Sequence, residues 1–377
     1  MSSSLGSVAE IVMGQAPAGD TYNDDGAGLP LIAGAGDFSG NGILAKKYTT
    51  KPTKIVGPGE IVLSIRASIG AHVRTEHEYC LGRGVAAIIP DETRLDGQYL
   101  WHWLESAQRS LAAKGRGATF LQVSKADIAD LDIPLPSLPE QRRIADILDR
   151  ADGLRAKRRR ALSLLDELTA RFVSQLGIDH EWPIRALQEV AATQGGLTVN
   201  RKRIGLPQEV DYLRVANVAR GSIDLSEVKK IGITDAELER VSLRDGDLLV
   251  VEGHGNELEV GRTARWRGSG SMVHQNHLIR VRPYPGVLDS VYAEHFFNSQ
   301  VARSYFRSVS KTTSGLNTIN MSNVKGLPVQ VPPFDVQLAF SEKAQQVDEL
   351  RQLHRAELAK LDELFASLQH RAFRGEL

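Results

Sequence analysis

The chain has 377 residues, 42% hydrophobic and 24% charged, with 46 basic side chains, 46 acidic ones and a single cysteine. At about 100–200 residues per domain this is a two- or three-domain globular protein with enough apolar material for real cores. Cys80 alone excludes an internal disulfide and a cysteine-based zinc site and fits a reducing compartment. No apolar run approaches the roughly 18 residues of a membrane span, and MSSSLGSVAE lacks the basic and apolar blocks of a secretion signal. The expectation is therefore a cytoplasmic protein with no membrane partner. A net charge of zero argues, at face value, against a strongly basic nucleic-acid binder.

From the N-terminus, EIVLSI (from Glu60) and GVAAIIP (from Gly84) read as short strands, β-branched runs bounded by Gly or Pro. YLWHWLES (from Tyr99) reads as a helix. The loop KGRGATFLQVSKADI follows, with Ser124 placed to cap a short helix. Next come Pro134, Pro136 and Pro139, tolerated at a helix start but not inside one. Behind them Ile144, Leu148, Ala151, Leu154, Leu162, Leu165, Leu168 and Phe172 recur every three or four positions, which predicts a helix over about 138–177. The order then repeats. DLLVV (from Asp247) and HLIRVRP (from His277) read as strands, VYAEHFFNSQVARSYF (from Val291) as a helix, and KTTSGLNTINMSNV as a loop with Asn320 as a cap. Pro328, Pro332 and Pro333 introduce a second long helix over about 334–374. About 40 residues at 1.5 Å each make a helix of about 60 Å, whose apolar stripe needs a partner.

The second half is a copy of the first. An offset of 196 places Gln337 on Gln141, Asp348 on Asp152, Arg351 on Arg155, and Leu361-Asp362-Glu363-Leu364 on Leu165-Asp166-Glu167-Leu168. Weaker matches further back keep the same order with offsets that shrink steadily to about 180, the pattern of one duplicated unit with insertions. The expected fold is α+β: two mixed α/β domains in pseudo-twofold arrangement, separated by two long antiparallel helices that form a coiled coil. Its boundaries are 1–135, 136–178, 179–331 and 332–377. A crossing near Arg158 and His354 sets Leu148 against Leu364, Ala151 against Leu361, Leu154 against Leu358, Leu162 against Leu350 and Leu165 against Val347. It also sets Arg155 opposite Glu357 and Arg150 opposite Asp362.

Catalytic motifs are missing. The sequence has no phosphate-binding glycine loop, no dinucleotide fingerprint, no HExxH, no metal-ligand histidine spacing and no Asn/Asp-Pro-Pro-Tyr/Phe element of an adenine methyltransferase. Glu227-Val228-Lys229 has the spacing of half a nuclease site but reads as an exposed charged turn. A duplicated unit with no motif in either copy points to a binding protein. Net charge by segment is −3 for 1–137, +3 for 138–178, +2 for 179–332 and −2 for 333–377, so the two helices carry opposite sign. Lys157-Arg158-Arg159-Arg160 reads as a solvated helix face or as a contact to phosphate or a partner. Lys46 and Lys47, the run Arg201-Lys202-Arg203, and Arg262 and Arg265 beside Trp266 are clusters that can neutralise phosphates. In the loops before the long helices, Gln122, Asn317 and Asn320 have the donor–acceptor pairs that read adenine, and Arg116 has the fork that reads guanine; a polar capping loop is the plainer alternative.

The segment IPLPSLPEQRRIADILDRADGLRAKRRRALSLLDEL, from Ile133, resembles the central repeat of the DNA specificity subunit of type I restriction–modification enzymes. EIVMGQAPAGDTYNDDG, GRGATFLQVSKADI, YLRVANVARGSIDL and HQNHLIRVR are similar to target-recognition segments of that family, and the likeness covers essentially the whole chain. The second copy departs, with Val336, Leu338 and Ala339 where the first has Glu140, Arg142 and Arg143. The resemblance implies a non-catalytic subunit in which each recognition domain reads one half of a split double-stranded DNA target. The helices set the spacing and dock two methyltransferase subunits; two restriction/translocase subunits can join. It implies no cofactor in this chain; S-adenosylmethionine, ATP and magnesium belong to the partner subunits. Half-sites one helical turn apart lie about 34 Å from each other, within reach of such helices.

On that basis the candidate DNA contacts in the first domain are Lys46, Lys47, Arg66, Arg83, Arg116, Thr119, Gln122 and Lys125. In the second they are Arg201, Lys202, Arg203, Arg214, Asn217, Arg262, Arg265, Gln275, Asn276, Lys311, Thr312, Asn317 and Asn320. The candidate helix-pairing residues are Leu148, Leu154, Leu162, Leu165, Leu350, Leu358, Leu361 and Leu364. The alternatives are a specificity subunit of a methylation-only complex, a coiled-coil scaffold with two protein-binding heads, and a nuclease or methyltransferase with an unfamiliar site. The bases recognised are not legible in the sequence.

Overall fold

The two proline-led repeats fold as single long helices, Leu138–Ile178 and Phe334–Ala372. The computed structural model describes residues 2–40, 42–117, 121–178, 182–313 and 315–377. The chain divides into a first unit, Met1–Arg159 with Ala356–Leu377, and a second, Arg160–Arg355, so each unit contains a stretch of both helices. No helix of the described residues is long and apolar enough to cross a membrane.

The strands expected from EIVLSI and GVAAIIP, Ile61–Ser64 and Val85–Pro90, are the central pair of an antiparallel sheet flanked by His72–Arg74 and Ala9–Met13. Alternation along them explains why their sequences are apolar without a break. Ile61, Leu63, Ala86 and Ile88 face one core, together with Tyr99, Leu100 and Trp103 of the helix Gly97–Ala113. Val62, Val85 and Ala87 face a second core on the other side, with Ile32, Val56 and Leu81. That second core is closed by a mixed sheet in which Leu29–Ile32 and Tyr79–Leu81 run parallel.

The second unit repeats this plan. Leu248–Val251 and Leu278–Pro283 are central, between Thr263–Arg265 and Ala191–Gly195, and Gln208–Leu213 runs parallel to Met272–His274. Where one helix was expected from Val291 to Phe306 there are two, Ser290–Phe297 and Gln300–Val309. The break falls at Asn298, whose side-chain amide pairs with the backbone of Thr263, followed by Ser299, which caps the second helix.

A strand pair closes each domain, Ser2–Ser4 with Asp132–Pro134 and Ile184–Ala186 with Pro328–Gln330. Each long helix is then pinned by a fully buried glutamine. Gln141 accepts from the Asp96 amide (2.8 Å) and donates to the carbonyls of Arg94 and Pro136 (2.9 Å each). Gln337 does the same with the Asp289 amide and the carbonyls of Val287 and Pro332.

In the first unit Arg155 lies over the Phe365 ring at 4.1 Å and bonds both Asp152 and Asp362 at 2.7 Å. In the second unit its repeat equivalent, Arg351, pairs with Asp348 at 2.6 Å and Asp166 at 2.9 Å, the equivalents of Asp152 and Asp362. Arg158 meets Glu357 at 3.1 Å, so the helix stretches of the first unit run antiparallel as expected. The register is corrected, however. Arg155 was expected opposite Glu357 and meets Asp362, five residues further along the partner helix. The cause lies in the domain cores: Leu148 and Ala151 pack into the first core, not onto Leu364 and Leu361, and Phe365 fills the inner position. Leu154, Leu350 and Leu364 are left about half exposed, and Leu162, Leu165, Leu358 and Leu361 only partly buried. The expected seam of facing leucines is thus replaced by arginine–aspartate pairs between the helices.

Candidate nucleic-acid interface

In the first unit, four backbone hydrogen bonds bring distant loops to one edge. Val123 N–H donates to the Ile65 carbonyl, Ile65 N–H to Gly84, and Gln122 and Arg116 exchange a reciprocal pair. The result gathers Arg66, Arg83, Arg116 and Gln122, four of the candidates. Arg66 Nε donates to Gln122 Oε1 at 2.7 Å. Arg116 is 83% exposed and lies 3.5 Å from Asp127, which with Ser124 forms the capping box of the helix Lys125–Ala129. Arg66 and Arg83 also line a cleft of about 520 Å³ together with Tyr22, the backbone of Ala33–Gly36 and Ala67. Ala67 has φ +55°, a left-handed turn uncommon for a residue with a Cβ. At Gly84 any side chain is excluded, because a Cβ would sit 2.2 Å from the Ala33 carbonyl oxygen. Lys46, Lys47 and Lys125 are exposed but lie outside this cleft lining. Thr119 lies outside the described residues.

The second unit builds the same edge from different side chains. Ile319 N–H donates to the Glu252 carbonyl and Glu252 N–H to His277, while Gly253 and His254 pair with Thr318 and Asn317. A cleft of about 420 Å³ is lined by Glu252, His277, Lys311, Leu316 and Asn320. Asn317 accepts from the Thr312 hydroxyl at 2.6 Å and donates to the Gly255 carbonyl, so Lys311, Thr312 and Asn317 share one hairpin. Gln275 and Asn276 are half-buried at the loop before Leu278, the counterpart of Gly82-Arg83. Asn320 caps the helix Met321–Lys325 as Ser124 caps its counterpart, so the capping alternative is the one realised. Glu252 and His277, 2.8 Å apart, were missed; carrying the repeat offset back to Ile65 would have pointed to Glu252.

Several candidates are corrected because their polar groups are engaged inside the fold. Asn217 is 3% exposed; it accepts from the Arg214 amide and donates to the carbonyls of Asp224 and Glu227. Arg203 makes a forked pair with Glu237, which holds that carboxyl down to about 2. Arg214 pairs with Glu227, so the Glu227–Lys229 triplet is an ion-paired turn. Arg262 donates to the Val215 carbonyl and pairs with Glu259. Arg265 is held on Glu294, whose own carboxyl is pushed up by burial. Arg201 and Lys202 remain exposed. The described residues include no group of His, Cys, Asp and Glu that could hold a metal ion.

Residues 1–163 match the family model described as the type I restriction modification DNA specificity domain. A putative type I restriction enzyme MjaX specificity subunit from Methanocaldococcus jannaschii is 31% identical over 170 residues, 44% of this chain and 39% of that protein. The type I restriction enzyme StySPI specificity subunit of Salmonella potsdam is 26% identical over 366 residues, 89% of this chain and 78% of the relative. Most of the chain is thus similar to specificity subunits of type I restriction enzymes, and its first 163 residues match their DNA specificity domain. A solved S subunit from M. genitalium shares the fold, with a TM-score of 0.61 at 13% identity over 99% of this chain and 96% of that one. Beside that likeness the fold has a plain rationale. One backbone frame occurs in both units, and the side chains on its exposed edge differ.

Proposed function

We propose that the chain is the non-catalytic DNA specificity subunit of a type I restriction–modification enzyme. Each unit reads one half of a bipartite double-stranded target. The long helices set the spacing of the halves and dock two adenine-N6 methyltransferase subunits, which supply S-adenosylmethionine chemistry; ATP-driven restriction subunits complete the assembly. The observation that carries this reading is the pairing of a constant frame with a changed edge. Gln141 and Gln337, Tyr99 and Tyr292, and Asp96 and Asp289 make the same bonds in both units. By contrast, Arg66, Arg83 and Gln122 are replaced by Gly253, Asn276 and Thr318 at the matching edge positions. Direct readout needs such divergence, since base identity is carried by groove-edge donors and acceptors, whereas phosphate contacts only set position.

The test is a domain exchange. Replacing residues 1–135 by the corresponding domain of another family member changes one half of the methylated target and leaves the other as it was. A change in both halves, or in neither, overturns the modular reading. Inserting a full heptad into one long helix alters the spacing between halves instead.

A further inference from the structure

Arg66 is held more tightly than a phosphate contact requires. Its Nε is fixed on Gln122 Oε1 at 2.7 Å, while no acceptor among the described residues engages its two terminal nitrogens. Gln122 is itself held in place by the reciprocal backbone pair with Arg116 and by Val123 N–H on the Ile65 carbonyl. On the other side, the left-handed turn at Ala67 redirects the chain just after Arg66. The residue is exposed, at the lip of the cleft formed with Arg83. An arginine buttressed at Nε presents its Nη1–Nη2 end as a planar two-donor fork with little rotamer freedom left to lose. That end matches the O6 and N7 acceptors of guanine in the major groove, the pairing by which arginine distinguishes guanine from the other bases.

We propose that Arg66, positioned by Gln122, reads a guanine in the half-target of the first unit. This rests on the specificity-subunit reading above. The second unit has Gly253 and Thr318 at these positions, so the guanine fork belongs to one half-target only.

The experiment maps methylated adenines produced by the chain assembled with its methyltransferase subunits. Arg66→Ala and Arg66→Lys each relax a single G·C position of one half-target by about tenfold or more, with the other half unchanged. Gln122→Ala relaxes the same position less. Arg66→Lys is the deciding variant, because it keeps the charge and loses the fork. With duplexes carrying 7-deazaguanine at that position, wild-type methylation falls about tenfold and the Arg66→Lys complex is indifferent. If Arg66→Ala and Arg66→Lys both keep full base preference at every position, or only weaken all sequences equally, Arg66 is a phosphate contact and the proposal is wrong. If the wild-type complex shows no bipartite target, it is the specificity-subunit reading that fails.

Discussion

Gln141 anchors the first domain to the long helix, and Gln141→Met measures that anchor. Methionine has nearly the same length and volume but offers neither donor nor acceptor. The substitution leaves the Asp96 amide and the carbonyls of Arg94 and Pro136 without their partner at a site that is 0% exposed. At about 1–1.5 kcal/mol for each lost bond to a neutral buried group, the loss is about 3–5 kcal/mol. The added apolar burial of methionine returns about 1 kcal/mol. The net destabilisation is then about 2–4 kcal/mol, or about 5–15 °C in the transition of the affected unit. Calorimetry gives the shift, and hydrogen exchange locates it: the Asp96 amide loses protection in Gln141→Met and the Asp289 amide in Gln337→Met. A loss under about 1 kcal/mol with the Asp96 amide still protected would refute the anchoring argument.

Two further outcomes follow from the same geometry. Burial depresses His274 in the second unit to about 4, from an ordinary value near 6.5, and His295 likewise. The unfolded chain takes up a proton near pH 6.5 that the folded histidine refuses until about pH 4. Stability is therefore complete above about 6.5 and falls progressively as the pH drops toward 4, by up to about 3 kcal/mol for His274. His274→Gln flattens this slope in acid melts. His295 is the poorer probe, since the neighbouring Glu294, its carboxyl raised by burial, titrates with the opposite effect on stability. Gly84→Ala forces a Cβ to within 2.2 Å of the Ala33 carbonyl oxygen, so the Arg83 loop must shift. Methylation then loses base preference in the half-target of the first unit, read by adenine mapping, while the other half is unaffected.

The elements legible in the sequence are those whose signal is local. Proline entry and a three-to-four-residue apolar period mark both long helices to within a few residues of Leu138–Ile178 and Phe334–Ala372. The central strands are marked by uninterrupted β-branched runs, because both of their faces are buried. The helix register is not local. It depends on whether Leu148 faces the other helix or the domain, and the apolar period is identical in the two cases; only the packing of Tyr99, Trp103 and Phe365 decides it. The division of the arginines was likewise hidden. Arg66 and Arg203 each neighbour glycine-rich, polar loops, yet one is exposed at a cleft and the other is clamped by Glu237, a partner 34 positions away. The capping role of Asn320 was visible as an alternative, since a cap and a base reader use the same amide.

The zero net charge takes on a different meaning once the side chains are placed. In the second unit the arginines of the richest basic clusters, Arg203, Arg262, Arg265 and Arg267, are neutralised by carboxylates of the same unit. In the first unit, the more acidic by segment count, Arg66 and Arg83 stand exposed at the cleft edge. Net charge by segment and charge available to DNA are therefore different quantities. Pairing of the second unit's arginines with carboxylates limits the counterion release, the main source of sequence-independent affinity, that this unit can supply. The isolated chain should bind DNA weakly and with a shallow salt dependence, and the methyltransferase assembly far more tightly and with a steeper one. Titration of a labelled duplex at two salt concentrations, with and without the methyltransferase subunits, checks this, and nanomolar affinity of the chain alone at physiological salt would contradict it.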